Sequence, residues 1–239
     1  MTSASLTLVG SGIKFYAHLT NEGKAYITQS DLVLYLVNDP MMKEWIATNS
    51  KKSESLDDLY VGEDERLTCY QTISDYILQC VRNQQHVCVV LYGHPCVYSM
   101  PGLTAINQAD QEGFDTCILP GISAEDCLFA DLKIDPSTVG CQSFEASDYL
   151  IYQRKLDPGC HAIFWQIDAI GILDHSSHQN KLALDLFTKN LLQYYSPDHQ
   201  VTIYEASQYP GFKPRILKLN LQDLPDAELT KISTLYVPP

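Results

Sequence analysis

Through the first half of this 239-residue chain, apolar runs of strand length alternate with helix-like stretches. The runs are apolar almost without a break, as in Leu32-Val33-Leu34-Tyr35-Leu36-Val37 and Val87-Cys88-Val89-Val90-Leu91. A strand with no polar side has to be covered from both sides, which calls for a parallel sheet between layers of crossover helices. Strands are expected at 6–9, 31–37, 87–92, 116–119, 162–167, 201–206, 216–221 and 234–237. Helices are expected at 21–29, 41–48, 63–83, 103–112, 124–132 and 180–195. Strands crowd together in the last third, which suggests a mixed sheet there. The turn dipeptide Pro120-Gly121 is the expected boundary. It divides an N-terminal α/β subdomain (1–119, mostly parallel sheet) from a C-terminal α/β subdomain (120–239, mixed sheet).

Charge narrows the partners. Lys and Arg number 16 against 29 Asp and Glu, a net charge of −13. A nucleic-acid binder needs a basic field to displace phosphate counterions, so no nucleic-acid partner is expected. The same field disfavours polyanionic ligands and points to a neutral or basic substrate. Apolar runs stop at strand length, so no membrane partner is expected. The N-terminus lacks the basic and apolar regions of a secretory signal. Eight cysteines include no C-x-x-C pair, and several sit inside apolar runs. That is how small hydrophobes behave in a reducing compartment, and a cytoplasmic location is expected.

Three strand ends carry unusual punctuation. Leu8-Val9 runs into Gly10-Ser11-Gly12-Ile13, where glycine allows close approach of a ligand or of another segment. The apolar strand ending at Tyr92 breaks into Gly93-His94-Pro95, whose imidazole could be a base, a metal ligand or a pocket-shaping group. Leu119-Pro120-Gly121-Ile122 leads to Ser123, a good helix N-cap, followed by Ala124-Glu125-Asp126. Ligands of doubly wound sheets bind outside the carboxyl ends of strands, so three such features together indicate a crevice.

In this order, these segments resemble the tetrapyrrole methylase superfamily, two-subdomain α/β enzymes that bind S-adenosylmethionine (SAM). The superfamily's glycine turn and Leu-Thr correspond to Gly10-Ser11-Gly12 and Leu19-Thr20, and its Pro-Gly-x-Ser to Pro120 through Ser123. Its usual Gly-Asp-Pro is Gly93-His94-Pro95 here, a departure. Longer strings are similar to the peptide backbone α-N-methyltransferases of borosin biosynthesis. They are Tyr92 through Pro95, Leu119 through Asp126, Phe129-Ala130-Asp131-Leu132, Ile134-Asp135-Pro136, Phe144-Glu145-Ala146, Trp165-Gln166 and Tyr204-Glu205-Ala206. The resemblance implies a SAM site in the cleft between two α/β subdomains, with S-adenosylhomocysteine (SAH) as product. It implies cofactor contacts at Gly10, Ile13, Tyr92, Gly93, His94, Val97 and Tyr98, and at Ser123, Ala124, Gln166, Tyr204 and Ala206. It also implies Tyr60, Arg66 and Tyr70 as catalytic residues, a peptide substrate and a homodimer.

The implied chemistry is demanding, because an amide nitrogen's lone pair is delocalised into its carbonyl. A tyrosine pushed toward phenolate by a nearby guanidinium is a suitable base. At ~100° per residue, Arg66 shares a helix face with Tyr70, Ile73 and Ile77, where an unpaired guanidinium would be costly. Helical geometry alone leaves a second reading open, in which Arg66 snorkels to solvent and Tyr70 is core. His175-x-x-His178 with Asp174 reads as a loop and cap rather than a metal site. The chain ends just past its last expected strand, so the precursor peptide is expected in trans. Two further readings remain: the same fold acting on a porphyrinoid, an rRNA or a protein side chain, or a peptide-binding scaffold without turnover.

Overall fold

Backbone hydrogen bonding sorts the strands into two five-stranded sheets in the computed structural model of the chain, which describes residues 4–61, 66–83, 85–172 and 180–239. The first sheet holds β1 (Ser5–Gly10), β2 (Leu32–Leu36), β3 (Ser53–Ser55), β4 (His86–Leu91) and β5 (Asp115–Leu119) in the order β3-β2-β4-β1-β5. Every pairing in it is parallel, as continuous apolar strands require.

Alternate residues of these strands serve two cores. Leu6, Leu8, Val87 and Val89 pack with Ile73 and Ile77 of α4 (Arg66–Arg82) and Ala105 of α5 (Met100–Gln111). Val9, Val33, Cys88 and Val90 face the other way, against Ile27 of α1 (Asn21–Gln29) and Ile46 of α2 (Pro40–Asn49). The neighbours β1 and β4 therefore send their outgoing helices, α1 and α5, to opposite faces. That is a topological switch point, where a crevice opens at the carboxyl edge.

The second sheet joins β6 (Cys141–Glu145), β7 (His161–Trp165), β8 (Gln200–Glu205), β9 (Arg215–Asn220) and β10 (Thr234–Val237) in the order β6-β7-β10-β8-β9. β6 and β7 are parallel and the other pairs antiparallel, so the sheet is mixed. Its apolar face packs Phe164, Ile203 and Leu235 on Phe187 and Leu191 of α8 (Lys181–Leu191). The chain forms two units. One runs to Cys127 and takes back Gln208–Phe212; the other holds Leu128–Ser207 and Lys213–Pro239. Pro120-Gly121 lies within the first unit, and α6 (Ala124–Leu132) spans the division.

Four elements escape the apolar pattern: β3, α3 (Asp57–Val61), β6 and α7 (Ala146–Ile151). Ser53-Glu54-Ser55 has no hydrophobic signature and is a strand only because it pairs with Val33–Tyr35 at the sheet edge. The helix expected over 63–83 is described from Arg66, and residues 63–65 lie outside the described residues. So do Asp174, His175 and His178.

Candidate active site

Three glycine turns interlock at the carboxyl edge of the first sheet. Gly12 and Gly93 exchange backbone hydrogen bonds, each 3.1 Å long. A Cβ on Gly10 would collide with the Gly93 carbonyl oxygen and lie 2.9 Å from the Gly121 Cα. One on Gly121 would lie 2.6 Å from the same oxygen. These glycines are small so that three loops can pack backbone against backbone. The β1 loop is closed by His18, whose Nδ1 accepts from the amides of Ile13 (3.3 Å) and Lys14 (3.2 Å). Burial, helped by the Lys14 charge, holds that imidazole's pKa below its ordinary value and keeps the ring neutral, as an accepting Nδ1 demands.

In the second turn, His94 Nδ1 accepts from the Cys96 amide at 3.0 Å. An accepting Nδ1 leaves Nε2 to carry the ring proton, so His94 presents an N–H donor rather than a free lone pair. Tyr92 is raised in pKa by burial, against a hydrogen bond from the Gln208 side chain, with Cys127 and Asp39 adding to the rise. Its phenol stays neutral. Val97 and Tyr98 are exposed, and Tyr98 holds φ 51°, a left-handed conformation that strains a non-glycine residue.

The third turn enters α6 through a reciprocal cap. Ser123 Oγ accepts from the Asp126 amide (3.2 Å), while the Ser123 amide and hydroxyl donate to Asp126 Oδ2 (both 2.7 Å). The Ser123 hydroxyl is thus engaged within its own helix, with Ala124 as the first helical residue. Gly10, Ile13, Tyr92, Gly93, His94, Ser123 and Ala124 accordingly gather at one sheet edge in the first unit.

Gln166, Tyr204 and Ala206 belong to the second unit. β7 and β8 both run antiparallel to β10 and hence parallel to each other, so Gln166 and Ala206 leave the same edge of their sheet. Gln166 adopts φ 56°, again left-handed. Tyr204 is buried and donates to Asp131 Oδ2 at 2.7 Å.

Of the expected catalytic residues, Tyr70 is half-buried on α4, on the side that carries the buried Ile73 and Ile77. Tyr60 lies in α3 and Arg66 begins α4, while their side chains lie outside what the structure describes. Ser74 donates toward the carbonyls of Tyr70 (2.8 Å) and Pro101 (2.9 Å), tying α4 to the first turn of α5.

Sequence reasoning missed three neighbours of this edge. Asp39 caps α2, accepting at Oδ1 from the Met41 amide at 3.0 Å. Tyr209 donates to the same oxygen at 2.9 Å, and Gln208 meets Tyr92 while its carbonyl accepts from the Phe15 amide at 2.8 Å. Asn38-Asp39-Pro40 carries a cap-and-proline signal for the helix start. Nothing local in Gln208-Tyr209 announces partners 170 positions away.

Residues 5–223 match the model of the tetrapyrrole (corrin/porphyrin) methylases. The chain is 38% identical to the methyltransferase/ribosomally synthesized cyclic peptide gymnopeptides precursor of Gymnopus fusipes, over 99% of this chain and 58% of that protein. It is 39% identical to the methyltransferase/ribosomally synthesized type I borosin cyclic peptide precursor of Gymnopilus junonius, over 99% and 57%. The chain thus spans less than two thirds of the length of these relatives. Among solved structures, the uroporphyrin-III-C-methyltransferase of Thermus thermophilus superposes with a TM-score of 0.70 at 16% identity, over 98% of this chain and 92% of that one. That likeness shows a shared fold.

Proposed function

The chain belongs to the tetrapyrrole methylase family, and from that membership we propose that it is a SAM-dependent methyltransferase acting on backbone amide nitrogens of a ribosomally made peptide. The observation that carries this reading is the interlocked glycine edge at the β1/β4 switch point, where Tyr92 and His94, a neutral phenol and an N–H donor, flank Gly93. Similarity along 99% of this chain to proteins named methyltransferase/ribosomally synthesized cyclic peptide precursors supports a peptide as substrate class.

The residues of the edge fit SAM. His94 offers a donor, Tyr92 a neutral phenol, and Tyr98 holds strained backbone of the kind that persists at ligand sites. On this reading Gly10, Ile13, Tyr92, Gly93, His94, Val97, Tyr98, Ser123, Ala124, Gln166, Tyr204 and Ala206 hold SAM. When bound, SAM supplies an electrophilic methyl group on a sulfonium. The amide proton passes to the phenolate oxygen of Tyr60 or Tyr70, a tyrosine that the Arg66 guanidinium favours in its deprotonated form. The net charge of −13 disfavours a polycarboxylate ring or an rRNA in that role. A homodimer in the cytoplasm with a ribosomally made peptide as partner completes the proposal.

Co-expression with a candidate precursor peptide, followed by tandem mass spectrometry, tests it. Increments of one methyl on backbone nitrogens are expected. Arg66→Ala and Tyr70→Phe should each lower the rate by about 10²–10⁴-fold, the share of general-base catalysis, with SAH affinity retained in calorimetry. Wild-type protein that binds SAH but leaves every precursor unmodified would point to the scaffold instead.

A further inference from the structure

A small pocket, partly open to solvent, lies where β1, β2 and β4 end. Ile13, Phe15, Val37 and Met42 make its walls apolar, and its polar lining includes Ser11, Tyr92 and Asp39. Two of these are already engaged: the Ser11 hydroxyl donates to the Gly12 carbonyl at 3.0 Å, and Tyr92 takes its hydrogen bond from Gln208. Asp39 differs. It is 9% exposed, and its Oδ1 receives both the Met41 amide and the Tyr209 hydroxyl. Its Oδ2 is buried with no hydrogen-bond partner among the described residues.

The other buried side-chain oxygens in that position, on Ser50, Thr188 and Tyr195, are hydroxyls. A hydroxyl can rotate and is neutral. An unpaired carboxylate oxygen is charged and fixed by its partner oxygen's bonds, so leaving it dry is the more costly condition. A metal ion is a poor candidate, since among the described residues no three His, Cys, Asp or Glu side chains converge.

Resting on the methyltransferase reading above, we propose that this pocket is a subsite for a nitrogen-borne proton, foremost an ammonium on an apolar stem, and that Asp39 Oδ2 is its acceptor. Apolar walls suit the stem, and a charge-assisted hydrogen bond compensates the buried carboxylate. Met42, unbranched and with three rotatable bonds, is the lining side chain best able to yield as the group enters. Tyr209 holds the carboxylate in place, which makes it a positioning residue for this subsite. Two sources offer such a proton: the α-ammonium of SAM, and an N–H of the peptide.

Asp39→Asn tests the idea, because it retains an oxygen for the helix cap and for Tyr209 while turning the free acceptor into a donor. Asp39→Ser, which keeps a good N-cap and deletes Oδ2, guards against an effect of fold. If the ammonium of SAM is the ligand, both variants weaken SAH about tenfold to a hundredfold in calorimetry. Binding of 5′-methylthioadenosine, which lacks the amino-acid portion, then stays unchanged. If the peptide is the source, SAH binding holds and the peptide KM rises by the same factor. Variants that match wild type in SAH affinity and peptide KM would reduce Asp39 to a helix cap and overturn the inference, while the methyltransferase reading stands. Wild-type protein that binds no SAH would bring down both.

Discussion

The first sheet is parallel, with apolar side chains on both faces and its site-bearing loops fitted together by the absence of side chains. The second sheet is mixed, and only one of its faces is an apolar core of this kind. On its opposite face, polar atoms tie rings together: Trp165 Nε1 donates to Ser143 Oγ at 2.7 Å, Tyr204 to Asp131 at 2.7 Å, and Tyr236 Oη lies 2.8 Å from His161 Nδ1. The first unit is therefore limited by sterics at the carboxyl edge of its sheet. The second depends more on finding partners for buried hydroxyls and ring nitrogens.

The sharpest break of that comparison is Gly10→Ala. Its new methyl would meet backbone of Gly93 and Gly121, which cannot swing away. A cost beyond about 5 kcal/mol is expected, in the range single substitutions reach only exceptionally. Loss of a cooperative urea transition would show it, whereas Gly113→Ala, with open space around it but φ +81°, should cost only about 1–2 kcal/mol. Next comes Phe164→Ala in the core of the second unit, fully buried against Tyr149 and Phe187, at about 3–5 kcal/mol. A denaturant midpoint shift without a change in slope would confirm it.

Tyr204→Phe is the gentler probe of the polar face. Loss of its hydroxyl leaves Asp131 short of a donor and should cost about 1–3 kcal/mol. Its neighbour Glu205 links the same region to pH. Burial works to raise the Glu205 carboxyl, but hydrogen bonds from Ser233, Arg215 and Thr230, with the Arg215 charge, outweigh it and leave the pKa lowered. A lowered native pKa contributes stability that is present above the ordinary glutamate range and lost as pH falls through the native value. Glu205→Gln should flatten the acid limb of a stability-against-pH curve and leave its neutral-to-alkaline part unchanged in shape. The smallest effect is chemical: burial pushes the Cys88 thiol up to about 12, so a thiol reagent should label exposed Cys96 in the native protein and spare Cys88 until unfolding.

Much of the first unit can be read from the chain, because covering a strand on both faces leaves an unbroken apolar run in the sequence. The strands at 86–91 and 32–36 announce themselves in that way, and so do the glycine turns that follow β1 and β4. The second unit is harder. Phe144 alone of the five residues in Cys141–Glu145 packs into the apolar core, too little to betray a strand. Helix periodicity at Arg66 and Tyr70 shows a shared face and no more.

Local pattern thus determined the parallel sheet, the turns at its carboxyl edge and the order of the motifs, since each depends on residues within a few positions of one another. Only the tertiary structure decided why the glycines are glycines, namely that Gly10, Gly93 and Gly121 come from three separate loops packed backbone to backbone. It also decided that Nδ1 of His94 is occupied by the Cys96 amide, and that Asp39 meets Tyr209 across 170 positions while leaving Oδ2 unpaired. Such facts arise from packing between distant segments, and no periodicity in the chain encodes them.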